Sequence, residues 1–451
     1  MFTPAHDWKN WMGNLETRVG LYEPRNEVEL QRAVVHAAAR GKVRAVGGSN
    51  AWSQLVPPKE ASHGGSIISL RHFDNIRHID ANGTPPTMTV QAGWPIKRLV
   101  KESEKHGLTL ISPTIFEQIR LGGALAVGAH GTGLGWGTMA DAVEAIRVVT
   151  ADGNIHEWTA ADGDLFDAAL VGLGCFGVVF EVKLRCEKAF HVHVEDRLIP
   201  REQVLSGIND LLATYEFLEL YWFPFNDTMW VKAISRTVEP LPKNPWKQNL
   251  ADSVNETLTI LGAKVLPWMS TYAPGLTPAF MKMAPFFEMT EGTRVETSSD
   301  EFHYQRAYPR CWDMSWGVPL ADAEQAWRDT IGLVESFASR KQYPVNFCVH
   351  SRFVGKSRAW MAGSYTGPIC DIEVATGKGT PNTDPFFRAW TDQMLLNPQA
   401  RPHWGKYILS PERLRDRYAR ADDFVALARA KDPNRVFTNE FLGRYIFQEI
   451  P

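Results

Sequence analysis

The sequence predicts an α+β protein, and three observations carry the prediction. Helix-period and strand-like segments alternate through the first 190 residues, glycine-rich turns punctuate them, and after Cys186 a long region rich in proline and aromatic residues replaces the pattern. The chain has 451 residues, and at roughly 150 per domain that length predicts two or three domains.

The elements follow in order. Across 27–40 the apolar residues Val28, Leu30, Ala33, Val34, Ala37 and Ala38 recur at helical spacing after Pro24 and Asn26, and Gly41 ends the run. Strands are predicted at 42–46, 66–70 and 88–92, with a helix at 96–106 closed by Gly107. These segments form a first α/β unit. Segment 122–137 holds seven glycines in sixteen residues, a density that a backbone in unusual conformations or pressed against a ligand requires. A second α/β unit follows: a strand at 143–150, a turn at 151–154, a return strand at 155–159, a helix at 164–170 and a strand at 178–185. Beyond Cys186 the aromatics Tyr221, Trp222, Phe223, Phe225, Trp230, Trp246 and Trp268 mark a separate substrate or cap domain, with irregular loops expected across 237–300.

Composition excludes several classes of function. The 48 basic and 51 acidic side chains leave a formal charge of -3 with no long run of one sign, which disfavours a nucleic-acid or membrane-surface protein. The first dozen residues lack an apolar signal core, and the apolar stretch 258–269 is short and broken by proline, so a cytoplasmic protein without a membrane span is expected. Cys175, Cys186, Cys311, Cys348 and Cys370 are odd in number and widely spaced with no CxxC, so neither a disulfide framework nor a metal site is expected. With 16 Trp and 28 Pro the chain reads as a loop-rich enzyme with aromatic-lined clefts.

Three loops carry the chemistry. In the first, a strand containing Arg44 and Val46 leaves its sheet into Gly47-Gly48-Ser49-Asn50-Ala51-Trp52-Ser53, where successive backbone N–H groups can cradle a diphosphate. The second begins at Gln118 and includes Gly122, Gly123, Gly128, Ala129, His130, Gly131, Thr132 and Gly133, small residues that let the backbone lie against a planar or anionic cofactor. It has neither the Rossmann glycine placement nor the Walker lysine. The third contains Gly174, Gly177 and Val178, again a glycine turn feeding a strand.

With these loops the chain resembles the vanillyl-alcohol-oxidase-type flavoproteins, and within them the aldonolactone oxidoreductase branch of gulonolactone, arabinonolactone and galactonolactone oxidases or dehydrogenases and alditol oxidase. The resemblance runs nearly end to end. It covers Asn10-Trp11-Met12-Gly13-Asn14, the three loops, Ser351-Arg352-Phe353-Val354, His403-Trp404-Gly405-Lys406 and the closing Asp432-Pro433-Asn434-Arg435-Val436-Phe437-Thr438-Asn439. It implies an FAD-binding domain of two α/β subdomains at 1–190, an α/β cap domain with a mainly antiparallel sheet at 191–415, and a C-terminal segment, 416–451, that returns to the FAD domain.

Two departures from the family matter. Most sugar-oxidising relatives carry a histidine in the first glycine turn that bonds covalently to the flavin; here the aligned residues are Ser49, Asn50 and Ala51. An amide is no nucleophile for that bond, so noncovalent FAD is expected, with His63 as a nearby residue through which a link could still form. In the cap, the relatives present Glu-x-Arg beneath the flavin, whereas this chain has His350-Ser351-Arg352. A neutral imidazole is a competent base for a hydroxyl proton, and Arg352 supplies positive charge. Lys406 and His403 match the family segment that reaches the flavin or substrate, and Glu373 and Tyr221 are candidate substrate residues.

The function expected is FAD-dependent oxidation of a C–OH or related C–H group on a small polar substrate such as a sugar lactone or polyol. Hydride would pass to the flavin and the proton to His350 or water, with charge stabilised by Arg352 and Lys406. The electron acceptor is oxygen or another molecule, and Ala129, where a glycine would leave oxygen more room, tilts the reading toward a dehydrogenase. Two alternatives stand beside it: a tailoring flavin oxidoreductase acting on a larger or aromatic intermediate, and a flavin-binding protein that has lost catalysis.

Overall fold

The computed structural model describes residues 2–56, 65–114, 119–242, 265–266, 268–288, 291–302 and 310–449. His63, Gln118, Trp246 and most of the 258–269 stretch lie outside these residues.

Three sheets organise the chain. The first contains β1 (Phe2–Lys9), β2 (Glu16–Tyr22), β3 (Val43–Val46) and β4 (Ser66–Ser69) in the order β1-β2-β4-β3. Strands β2 and β3 run parallel to β4, and β1 pairs antiparallel with β2. The crossover from β2 to β3 is helix α1 (Glu27–Ala38), capped by the Asn26 side chain, which accepts a hydrogen bond from Glu29 N at 2.9 Å. Its apolar stripe Leu30, Ala33, Val34 and Ala37 is buried in one core with Val43 and Ile68, as the helical spacing predicts. The β1–β2 hairpin carries no such signal, because β1 is mostly exposed and shows no period-2 apolar pattern.

The second sheet has β5 (Ile76–Asp80), β6 (Thr87–Gln91), β7 (Leu108–Leu110), β8 (Val143–Val149), β9 (Ile155–Thr159) and β10 (Val178–Lys188). Its order is β5-β6-β10-β8-β9, with β7 also on β10, and every pair is antiparallel. The last strand in sequence therefore sits in the middle. Helices α2 (Ile96–Lys105), α3 (Leu121–Ala126) and α4 (Asp164–Leu170) bury apolar residues in its core. That core also takes in Phe424 and Leu442 from the C-terminal helices, together with Trp360 and Trp404.

The third sheet is antiparallel throughout: β11 (His191–Pro200), β12 (Phe217–Trp222), β13 (Thr228–Thr237), β14 (Gly292–Thr297), β15 (Cys311–Pro319), β16 (Val349–Val354), β17 (Ile369–Gly377) and β18 (Arg401–Pro402). Its order is β14-β11-β13-β12-β16-β17-β15-β18. Side chains alternate between the faces of a strand. Leu218, Leu220, Met314, Trp316, Val349, Phe353, Ile372 and Val374 point to one face, where they pack against Trp327, Ile331, Phe386 and Trp390 of helices Ala323–Ser339 and Thr383–Met394. Fully burying each such residue contributes about 1.5–3 kcal/mol. Asp313, Ser315, Arg352, Asp371 and Glu373, which alternate with them, face the other way, toward the first two sheets.

Candidate functional site

A single long cavity joins the glycine loops to that second face. One end is walled by 44–52, by Gly122, Gly123, Ala129 and His130, and by Gly174, Gly177 and Val179. The other is walled by Asp313, Ser315, Arg352, Asp371 and Glu373 from the third sheet and by His403 and Lys406.

The first glycine loop is held from several sides. Ser49 adopts a left-handed φ of 56°, and its hydroxyl accepts from Trp8 Nε1 at 3.1 Å. Asn10 Nδ2 donates to Ala51 O at 2.9 Å, and Trp52 N to Gly405 O at 2.9 Å. Arg44 is buried beneath the loop. Its Nε donates to Leu55 O at 2.9 Å, Nη2 to Leu173 O at 2.6 Å and Nη1 to Phe437 O at 2.5 Å, so it ties two loops and the C-terminal segment together. Burial lowers its pKa. The third loop needs glycine: Gly177 has φ of 135°, and a Cβ there would lie 2.6 Å from Val149 O.

These walls fit FAD. Three glycine loops converge on one cavity, and at Gly123, in α3 and on its wall, an added Cβ meets nothing within 4 Å. A side chain there would occupy the cavity without disturbing the protein. Gly123→Val is therefore expected to yield a folded, colourless protein: an unchanged thermal midpoint with no flavin absorption supports the assignment, and a normally yellow variant removes it.

At the polar end, register decides who meets whom. One row across the sheet reads Trp230, Tyr221, His350, Glu373, Ser315, and the next reads Lys232, Glu219, Arg352, Asp371. In the first row three rings stack: Tyr221 lies 4.4 Å from Trp230 and 4.1 Å from His350, the latter pair at 7°. The second row alternates in charge. Glu219 Oε1 lies 3.5 Å from Arg352 Nε and its Oε2 accepts from Tyr221 OH at 2.5 Å. Lys406, over the Trp52 ring at 5.2 Å, pairs with both Asp313 and Glu373, the latter at 2.9 Å. Asp371 accepts from Ser315 Oγ at 2.5 Å and has His130 Nε2 at 3.7 Å.

Burial and charge set the protonation states. Burial lowers His350 to about 4, with Arg352 adding to the effect, so its imidazole is neutral at pH 7. Burial, then His130, lowers His403 to about 3; its Nδ1 accepts from Gly405 N at 3.0 Å, so its proton is on Nε2. Burial opposes ionisation of Asp371 and Glu373, but His130 holds the former low, chiefly by its hydrogen bond, and Lys406 and Arg352 the latter. Asp313 is raised to about 7 by burial and by Glu373. The two carboxylates share one lysine, and Asp313 is the deeper of the two.

The structure brings most of the predicted residues together. Arg44, Val46, Gly47, Gly48, Ser49, Asn50, Ala51, Trp52, Gly122, Gly123, Ala129, His130, Gly174, Gly177, Arg352, Glu373, His403 and Lys406 all line the cavity. The others lie outside its wall. His350 is stacked against Tyr221, and its Nε2 is 3.8 Å from Glu219 with no hydrogen-bond partner among the described residues. Ser53 donates to Trp404 O at 2.5 Å. Gly131 N donates to Ser112 Oγ at 2.9 Å, Thr132 Oγ1 to Leu218 O at 2.6 Å and Gly133 N to Phe353 O at 2.7 Å, so 132–133 fasten the glycine loop to the third sheet. Gly128 borders a small pocket behind His130, and Val178 points into the core while its neighbour Val179 meets the cavity. Sequence reasoning missed Asp313, Ser315, Asp371 and Glu219. Their signal was present as polar residues alternating with apolar ones along three strands, but no motif marked them.

Comparisons with known proteins identify the family and the fold. A family model described as D-arabinono-1,4-lactone oxidase matches residues 182–445, and one described as FAD binding domain matches 20–159. The chain is 26% identical over 449 residues to L-gulono-1,4-lactone dehydrogenase of Mycobacterium tuberculosis, covering 97% of this chain and 99% of that protein. It is 28% identical over 441 residues to alditol oxidase of a Streptomyces species, covering 96% and 97%. Among solved structures, cholesterol oxidase from Brevibacterium sterolicum shares the fold at a TM-score of 0.81 and 18% identity, covering 99% of this chain and 97% of that one.

Proposed function

The chain belongs to the D-arabinono-1,4-lactone oxidase family of FAD-dependent oxidoreductases, and from that premise we propose that it oxidises a C–OH group of a neutral sugar lactone or polyol. The observation that carries the reading is the continuity of the cavity, which joins a glycine-walled cofactor cradle to a polar face bearing Arg352 and Lys406. The loops at 47–52, 122–123 and 174–177 hold the cofactor, which supplies a hydride acceptor at its N5 when bound. Arg352 and Lys406 bind and polarise substrate oxygens. Four carboxylates, Glu219, Asp313, Asp371 and Glu373, accompany these two cations, so a neutral polyol or lactone suits the pocket better than a free sugar acid.

We further propose that FAD is held noncovalently, because Asn50 stands in the cavity wall at the position of the linking histidine. The methyl of Ala129 in the same wall supports an electron acceptor other than oxygen. All five cysteines are free thiols, in keeping with a reducing, cytoplasmic setting; among the described residues no helix is long and apolar enough to cross a membrane. Acid precipitation of the purified protein is expected to leave FAD in the supernatant. Flavin retained in the pellet would refute the noncovalent reading, and a colourless protein that takes up no FAD would refute the cradle.

A further inference from the structure

Oxidising an alcohol requires a group that takes the hydroxyl proton, and the walls of the cavity narrow the choice. His350 does not line it: one face of its ring is covered by Tyr221, and its Nε2 is buried toward Glu219. Asp371 lines the cavity but is engaged by Ser315 and His130. The Nδ1 of His403 accepts from Gly405 N, so its Nε2 carries the proton, and the ring nitrogens of His130 face Gly131 O and Asp371; Asp313 and Glu373 remain. Both line the cavity, Lys406 lies between them, and Asp313 Oδ1 is buried with no hydrogen-bond partner among the described residues. Glu373 is the cross-strand neighbour of His350, so a carboxylate stands beside the position where the sequence pointed to a base.

We propose that Asp313 and Glu373, bridged by Lys406, act as one carboxylate pair that accepts the substrate's hydroxyl proton. The proposal rests on the flavin oxidoreductase reading above. In the balanced step the substrate C–H bond breaks and its electron pair leaves as hydride to FAD, while the O–H proton passes to a carboxylate oxygen of the pair. The C–O bond becomes C=O, and the pair later releases its proton to solvent. The titratable and charged groups facing the pair are Lys406 and His403 from the loop after β18, Arg352 and His350 from β16, and Asp371 from β17, with both imidazoles neutral at pH 7. The three carboxylates crowd each other while the two cations hold them, and a proton shared near neutrality follows from that balance. Because the deprotonated pair is the active form, turnover rises with pH as the proton leaves.

Infrared difference spectra of the FAD-loaded enzyme without substrate, taken between pH 5 and 9, read the pair directly. A protonated-carboxyl stretch that fades through about pH 7 and is missing in Asp313→Asn is expected. In Lys406→Met the band should persist to higher pH, which keeps the test open if Asp313→Asn does not fold. No titrating carboxyl band overturns the proposal. In anaerobic mixing with a polyol or an aldonolactone, Glu373→Gln should slow flavin bleaching roughly 100-fold or more. Wild-type rate in Glu373→Gln, or an equal loss in His350→Ala, overturns the pair as proton acceptor. An enzyme that binds FAD and shows the band but is bleached by no such substrate refutes the substrate reading and leaves the pair as a proton site.

Discussion

Arg352→Met is expected to slow anaerobic flavin reduction by a sugar lactone or polyol roughly 10²- to 10³-fold, the usual consequence of removing a preorganised charge from a developing negative oxygen. The expectation follows from placement. Arg352 lies in the cavity wall, and the sheet row sets it between two carboxylates, Glu219 on β12 and Asp371 on β17. The same substitution strands Glu219. Burial pushes that carboxyl up, and Arg352, Lys232, the Tyr221 hydroxyl and, when protonated, His350 offset the penalty. Breaking a buried pair by removing one partner destabilises by about 3–5 kcal/mol. Tyr221 OH still donates to Glu219, so the lower end is expected here. Two measurements separate the effects. The double variant Arg352→Met/Glu219→Gln should recover the thermal midpoint and remain slow in stopped-flow bleaching. Recovery of the rate along with the stability would mean that Arg352 serves the fold alone.

Arg44→Met is expected to destabilise the protein by roughly 3–5 kcal/mol, because it deletes three charge-assisted hydrogen bonds from a buried guanidinium to backbone carbonyls. Those carbonyls belong to Leu55, Leu173 and Phe437, which lie far apart in the chain, so their loss loosens the first and third glycine loops together. FAD affinity should fall in parallel. Urea unfolding of the apo-protein isolates the structural part, and FAD titration the functional part. An unchanged unfolding midpoint with weakened FAD binding would instead make Arg44 a direct ligand of the cofactor.

Much of this architecture is legible in the residues. Helix α1 is written in the spacing of Leu30, Ala33, Val34 and Ala37 and in Asn26, and the β8–β9 hairpin in the turn between Val149 and Ile155. Such features depend on local backbone preference and on which side of an element is apolar. The glycine loops are legible for the same reason, since a demand such as that at Gly177 excludes other side chains whatever the rest of the chain does. The β1–β2 hairpin is not legible, because an exposed ribbon leaves no apolar rhythm.

The candidate site divides along the same line. By itself the sequence determined the glycine loops, the identity of His350, Arg352 and Lys406, and the presence of an amide at position 50. Alternation along β15, β16 and β17 also determined that Asp313, Arg352, Asp371 and Glu373 lie off the apolar face. Only the tertiary structure decided which of them meet. A strand's period of two assigns a face but not a neighbour, and neighbours come from register between strands distant in sequence. That register set Glu219 beside Arg352, turned His350 onto Tyr221 and away from the cavity, and brought Lys406 from a loop after the sheet to lie between Asp313 and Glu373.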